Sequence, residues 1–211
     1  MIDRHFADWH ALAWRPGSMM HRGWWPALGL DAWHDAYRDA PGCRAALDRC
    51  IVAARGWPRA TLPGPLDDAA RAVLRLRPRF LMLTLALGLR ELACADYLLL
   101  GVFRRALSAW MLPSQCDRLL LTRREWPGAP QVEPAQLRDA ALAAGTRALA
   151  ATCAGAQQAC DVHRAMLSLL PPAAGQAVGE AAALCANDGR DLARPWANDP
   201  WHSLQRLGVW L

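Results

Sequence analysis

The chain has 211 residues, 54% of them hydrophobic, which suits one domain with a substantial buried core. All 24 basic residues are Arg, so the formal net charge of +5 contains no lysine, and Schiff-base and P-loop lysine chemistry are excluded. The opening MIDRHFADWHALAW carries charges where a signal peptide needs an apolar run, so cytoplasmic residence is expected.

In chain order, residues 3–14 read as a short helix with Phe6, Trp9 and Ala13 or Trp14 on one side. WRPGSMMHRGWWP, residues 14–26, then breaks helicity through Pro16, Gly17, Gly23 and Pro26. Pro26 can open the next helix, whose face is Leu30, Trp33 and Tyr37. Asp39-Ala40-Pro41 starts a clearer helix with Cys43, Leu47, Cys50, Ile51 and Ala54 at helical steps, capped by Gly56 and stopped by Pro58. Residues 56–65 form a loop, and residues 66–77 a helix in which Asp67 stands four before Arg71.

Residues 79–112 are the most apolar part of the chain and contain no proline. Arg90, Glu91, Asp96, Arg104 and Arg105 interrupt them, so no run reaches the ~20 apolar residues that a bilayer requires. We expect a central helical hairpin: one arm with Leu81, Leu85, Leu89 and Leu92, the other begun by Asp96 as N-cap and carrying Leu99, Val102, Phe103, Ala106 and Trp110. Residues 80–89 also alternate like a strand, but their length favours helix. Pro113-Ser114 opens another helix, with Ser114 and Asp117 resembling a capping box and Leu119, Leu120 and Leu121 as anchors.

After a loop over residues 126–134, an Ala-rich helical region runs to about Leu170, weakened at Gly145 and Gly155 and stopped by Pro171-Pro172. A helix over roughly 173–186 follows, and Asp199-Pro200 begins a terminal helix with Trp201, Leu204, Leu207 and Leu211 on one stripe. The expected fold is all-α: a single compact domain over 1–211 of about nine to ten helices around the central hairpin, with the Trp-rich residues 1–25 packed on it.

The charge is uneven. Ten Arg lie between positions 71 and 124 against Glu91, Asp96 and Asp117, a surplus that suits an acidic protein or phosphate. The residues expected at a partner surface are Arg90, Arg104, Arg105, Arg123 and Arg124, joined by the adjacent Trp24-Trp25, which cannot both turn inward easily. Arg104-Arg105 has the chemistry to grip a carboxylate in bidentate fashion. Two other constellations are weaker. Asp31, His34 and Asp35, with His10 or His21, have metal-ligand spacing. Cys160, Asp161 and His163 contain a thiol and a base, but so close in sequence that they point apart on a helix. The seven cysteines include no CxxC, and the pairs Cys43/Cys50 and Cys153/Cys160 lie two helical turns apart, so small buried thiols in a reducing compartment are expected. No catalytic residue, cofactor site or metal site is assigned.

Three patches resemble the SctK family, the K-type accessory proteins of bacterial type III secretion systems. The first is Trp14, Pro16, His21 and Pro26. The second is LTLALGLREL, residues 83–92, with its Leu87-Gly88 pair. The third is Gly145, Leu149-Ala150-Ala151, Arg164, Leu167, Leu169 and Pro171; Trp126-Pro127 also falls where relatives have a WP. In this chain the Arg pair comes late, at Arg104-Arg105, and Leu170 intervenes before Pro171.

The resemblance implies a non-enzymatic cytoplasmic adaptor of the sorting platform, with no cofactor, that bridges the cytoplasmic domain of the inner-membrane ring protein (SctD) to the pod protein (SctQ). The stator protein (SctL) and the ATPase belong to the same platform, and no nucleic acid or membrane insertion is implied. The residues alone also admit a helical nucleic-acid-binding regulator or a metal-dependent helical enzyme.

Overall fold

The computed structural model describes residues 4–58, 66–152, 159–172 and 199–211. They are all-helical, with nine helices of seven or more residues and no strand among them. The expected helix over 173–186 and the loop tip at 59–65 lie outside the described residues. The chain clusters into two units: residues 1–75 with 150–191, and residues 76–149 with 192–211.

The first unit begins with α1 (Arg4–Trp14), which buries Trp9, Leu12 and Ala13. Pro16 and Gly17 then force a single 3-10 turn, Pro16–Ser18. Pro26 does not open a helix. It is the third residue of the short α2 (Trp24–Ala27), and the next helix, α3 (His34–Asp39), waits for a 3-10 turn at Asp31–Trp33. As a result Tyr37 is buried while Trp33 is 54% exposed, so the expected face over Leu30, Trp33 and Tyr37 is only partly an inward one.

α4 (Pro41–Arg55) has Pro at its first position and ends at Gly56, whose φ of 69° is the left-handed cap that its sequence promised. Leu47 and Ile51 face inward, whereas Cys43 and Cys50 are exposed, so those thiols are not the buried small residues expected. Among the described residues the buried thiols are Cys94 and Cys116 of the second unit, and burial raises the Cys116 pKa. Cys153 lies outside the described residues. α5 (Asp68–Arg75) is capped by Asp67, which accepts from the Ala70 N–H at 2.7 Å, and Arg71 reaches Asp68 at 3.3 Å. α5 packs on α11 (Ala159–Leu167), and α1 touches both.

The second unit is built on α6 (Phe80–Leu92). All seven residues from Leu83 to Leu89 are buried. A helix buried on every side shows no clear period, and that is why this stretch also alternated like a strand. α6 is crossed by α10 (Leu137–Thr152) at two glycines. A Cβ on Gly88 would fall onto the carbonyl oxygen of Ala141, and a Cβ on Gly145 onto that of Thr84. Gly145 is thus a point of closest approach rather than a weak spot in its helix. The Thr84 hydroxyl donates to the Phe80 carbonyl at 2.8 Å, so its polar atom is satisfied within the same core.

α12 (Pro200–Trp210) completes the core. Asp199 caps it, accepting from the Trp201 N–H at 2.9 Å, and Trp201, Leu204 and Leu207 are buried as the stripe predicts. Trp201 stacks on Phe80 with ring centroids 5.9 Å apart. Its indole N–H donates to the Leu149 carbonyl at 3.2 Å.

The second arm of the expected hairpin is not one helix. Ala93 adopts a left-handed conformation and closes α6. α7 (Asp96–Leu99) is a single turn, and Leu100 is extended (ψ 133°) before α8 (Gly101–Leu107). Asp96 stands inside the first turn, after the capping position held by Ala95. Glycine at 101 weakens continuous helix there. The Tyr97 hydroxyl meanwhile accepts from the Gln131 and Val132 N–H groups at 2.8 and 3.0 Å, which ties α7 to the loop before α10. The break turns Leu99, Leu100 and Val102 outward and leaves Tyr97, Leu98, Phe103 and Leu107 inside.

α9 (Pro113–Leu121) starts where expected, but by another device: the Leu112 N–H donates to the Gln115 side chain at 2.8 Å, and Asp117 turns to Arg104. Of its three leucines, Leu119 is buried, Leu120 half-buried and Leu121 78% exposed.

Candidate docking surface

The aromatic pair Trp24-Trp25 belongs to the interior of the first unit. Trp25 is 1% exposed in a cluster with Met20, Tyr37, Leu47 and Ile51, so it is a core residue and not a surface anchor. Trp24 packs on the same cluster, and its indole N–H donates to the Leu170 carbonyl at 2.9 Å. The expected conflict does not arise: Trp25 fills the cluster, and the half-buried Trp24 packs against it while bonding to Leu170.

The same segment is stitched again by the His21 N–H, which donates to the Ser168 carbonyl at 2.8 Å. The His21 ring accepts from the Gly23 N–H at 3.1 Å. Burial, and next Arg22, lower the His21 pKa, consistent with a neutral ring acting as acceptor. Residues of the first family-like patch therefore bind the end of the third.

Behind them lies a buried carboxylate. Asp48 is 6% exposed and accepts from the Gly17 N–H at 3.0 Å and from the Tyr37 hydroxyl at 3.2 Å. A Cβ on Gly17 would collide with the Tyr37 ring, so this glycine lets the backbone approach. Burial raises the Asp48 pKa, against the opposing pull of these hydrogen bonds and of Arg15 and Arg55. The Arg55 guanidinium lies 4.4 Å from the Trp57 ring centre. Both its terminal nitrogens are buried without a hydrogen-bond partner, and burial lowers its pKa to about 10. Arg44 donates to the Tyr37 and Arg38 carbonyls at 2.9 and 2.8 Å.

The second unit holds all the arginines expected at a surface, but they are not equivalent. Arg104 is engaged internally, bonded to Asp117 at 2.6 Å and to the Pro113 carbonyl at 2.8 Å, and so is not free to clamp a ligand alongside Arg105. Arg105 is exposed, and so is Arg124. Arg90 and Arg123 do come together: Arg123 donates to the Arg90 carbonyl at 2.8 Å and stacks near Trp126 at 5.8 Å. Burial lowers the Arg90 pKa, and the nearby charges of Arg123 and Arg206 lower it further against the opposing Glu91. The Arg90 Nε is buried without a partner.

Spacing alone does not single out Arg118, Arg206, Val209 or Trp210. Arg206, Val209 and Trp210 stand at i, i+3 and i+4 on α12, a legible helical face, but one opposite the leucine stripe that dominates that helix. Val209 is 86% exposed and Trp210 50%.

The weaker constellations fare differently. Among the described residues no three His, Cys, Asp or Glu side chains gather as a metal site. His34 and Asp35 face each other at 3.5 Å, Asp35 also reaches Arg38, and His10 stacks on Trp14. Asp161 lies 3.7 Å from Arg164 on α11.

The described residues thus define an all-α protein in which the surplus of Arg over acidic residues, and most exposed large apolar side chains, belong to one of its units. No described helix is long and apolar enough to cross a membrane. Residues 7–172 match the family of type III secretion system subunits, and the chain belongs to that family. No curated protein and no solved structure matches the chain.

Proposed function

We propose that this type III secretion system subunit is a non-catalytic cytoplasmic adaptor of the sorting platform, of the SctK type. In this reading it links the cytoplasmic domain of the inner-membrane ring protein (SctD-like) to the pod protein (SctQ-like), within a platform that also carries the stator and the ATPase. The observation that carries the reading is family membership over residues 7–172.

A division of charge supports it. The unit formed by residues 76–149 and 192–211 has twelve Arg against seven Asp and Glu, whereas the other unit has twelve against twelve. All of the net charge of +5 therefore belongs to one unit, and a bridging protein needs two unlike surfaces. The test mixes the purified full chain with the ring protein's cytoplasmic domain and with the pod protein, separately and together, in size-exclusion runs. A ternary complex that weakens with salt is expected, weaker still with Arg105→Glu. Absence of any complex at low salt overturns the adaptor reading.

A further inference from the structure

The ends of α9 and α12 form a surface unlike the rest of the second unit. Arg118 on α9 donates to the Trp210 carbonyl at 3.1 Å, and Gln115 to the Leu211 carbonyl at 3.1 Å, so the two helices meet there. Leu121 lies one turn beyond Arg118 on α9 and is 78% exposed. Val209 and Trp210, at the end of α12 that Arg118 contacts, are also exposed, so three apolar side chains near this junction are left in water.

Cations border this group. Arg206 precedes Val209 and Trp210 on the same face of α12 and lies close enough to Arg90 to depress that side chain's pKa, as does Arg123. No carboxylate pairs with Arg206 among the described residues. The Arg90 Nε is buried and bonds to nothing. Arg90, Arg123 and Arg206 come from three separate segments, and with Glu91 as the opposing charge beside Arg90 their positive charges outnumber it and favour an anionic partner. A phosphate polymer would answer the charge but would leave Trp210, Val209 and Leu121 wet. A protein segment with carboxylates beside apolar side chains answers both, and Trp with Arg is the pairing on which interface energy concentrates.

We propose that this surface, with Leu121, Val209 and Trp210 at its centre and Arg118, Arg123 and Arg206 around it, docks an acidic amphipathic segment of a protein partner. The proposal deepens the adaptor reading and rests on it only in taking the partner to be a protein. The test is fluorescence anisotropy of the full chain with a labelled peptide that repeats Glu and Leu at helical spacing. Controls are the same peptide with Lys for Glu, and a short DNA duplex.

The acidic peptide binds, and the basic one does not. Leu121→Ser with Trp210→Ser, and separately Arg118→Glu with Arg206→Glu, each weaken binding about tenfold or more while helicity and melting stay intact. Three results overturn the proposal: no binding of the acidic peptide by wild type, undiminished binding by both folded variants, or DNA binding that competes fully and ignores the Leu121 and Trp210 substitutions. The ring-and-pod experiment above is scored separately, so the adaptor reading can fail while this surface stands, and the reverse.

Discussion

The two units use the same residue types to opposite ends. In the first, several aromatic and charged side chains are engaged internally: Trp24 bonds the Leu170 carbonyl, Tyr37 bonds Asp48, and Arg44 bonds two backbone carbonyls. In the second, the interior is almost wholly apolar and closes on glycine, while Trp210, Leu121 and several arginines are left outside. A tryptophan or an arginine in the sequence is therefore no guide to binding by itself. What matters is whether the neighbouring backbone offers it a partner. Where a carboxylate and a carbonyl both engage it, as for Arg104, the side chain becomes structure, and where a carbonyl only steadies an exposed guanidinium, as for Arg118, it remains available to another molecule.

The sharpest way to break this contrast is Gly88→Ala. The added methyl would overlap the Ala141 carbonyl, and helix backbones cannot yield as a side chain can. We expect a loss of about 3 kcal/mol or more, seen as a lower midpoint in urea, with an Ala-to-Gly change elsewhere on the surface as control. Next is Asp48→Ala, which strips the acceptor from the Gly17 N–H and the Tyr37 hydroxyl and leaves the Arg55 charge without its nearby anion. A loss of about 3 kcal/mol is expected in the same measurement, and Asp48→Asn, which keeps an acceptor oxygen, should lose less. Trp24→Phe keeps the ring but not the N–H that reaches Leu170, for an expected cost of about 1 kcal/mol.

The smallest effect is a pH dependence. The His21 pKa is lowered in the folded chain, so the unfolded chain binds the proton more readily. The stability that His21 contributes is present above the ordinary value of 6.5 and is lost as pH falls below it toward and through the folded value. Melting curves between neutral pH and mild acid should show a small destabilisation that His21→Asn reduces. Asp48 works in the other direction, because its raised pKa makes the folded chain the better proton acceptor. An Asp48→Asn background should therefore make the His21 effect easier to see.

The family-like patches now have a physical meaning. Gly88 of the second patch meets Gly145 of the third at one helix crossing, and His21 of the first is stitched to Ser168 near the end of the third. The residues by which the sequence resembles its relatives are, at these points, packing residues. The candidate docking side chains Arg206, Val209 and Trp210 lie outside all three patches, and outside the 7–172 match.

What the sequence determined by itself was short-range. Pro41 at the first position of α4, Gly56 as its left-handed end and Asp199 as the cap of α12 follow from the φ limits of proline and glycine and from a carboxylate's reach to free N–H groups. The all-α class and the buried run in α6 followed from composition and length. Tertiary structure alone decided which apolar side chains stay wet. Leu99 sits at helical spacing with Phe103, yet only Phe103 is buried, because the extended backbone at Leu100 rotates the register between α7 and α8, and Trp110 lies beyond the end of α8 and is 37% exposed. It also decided that Arg104 is paired while Arg105 is exposed, and that Arg90, Arg123 and Arg206 gather from three segments. Periodicity specifies a face along one helix, but only the packing of other segments fixes what that face meets.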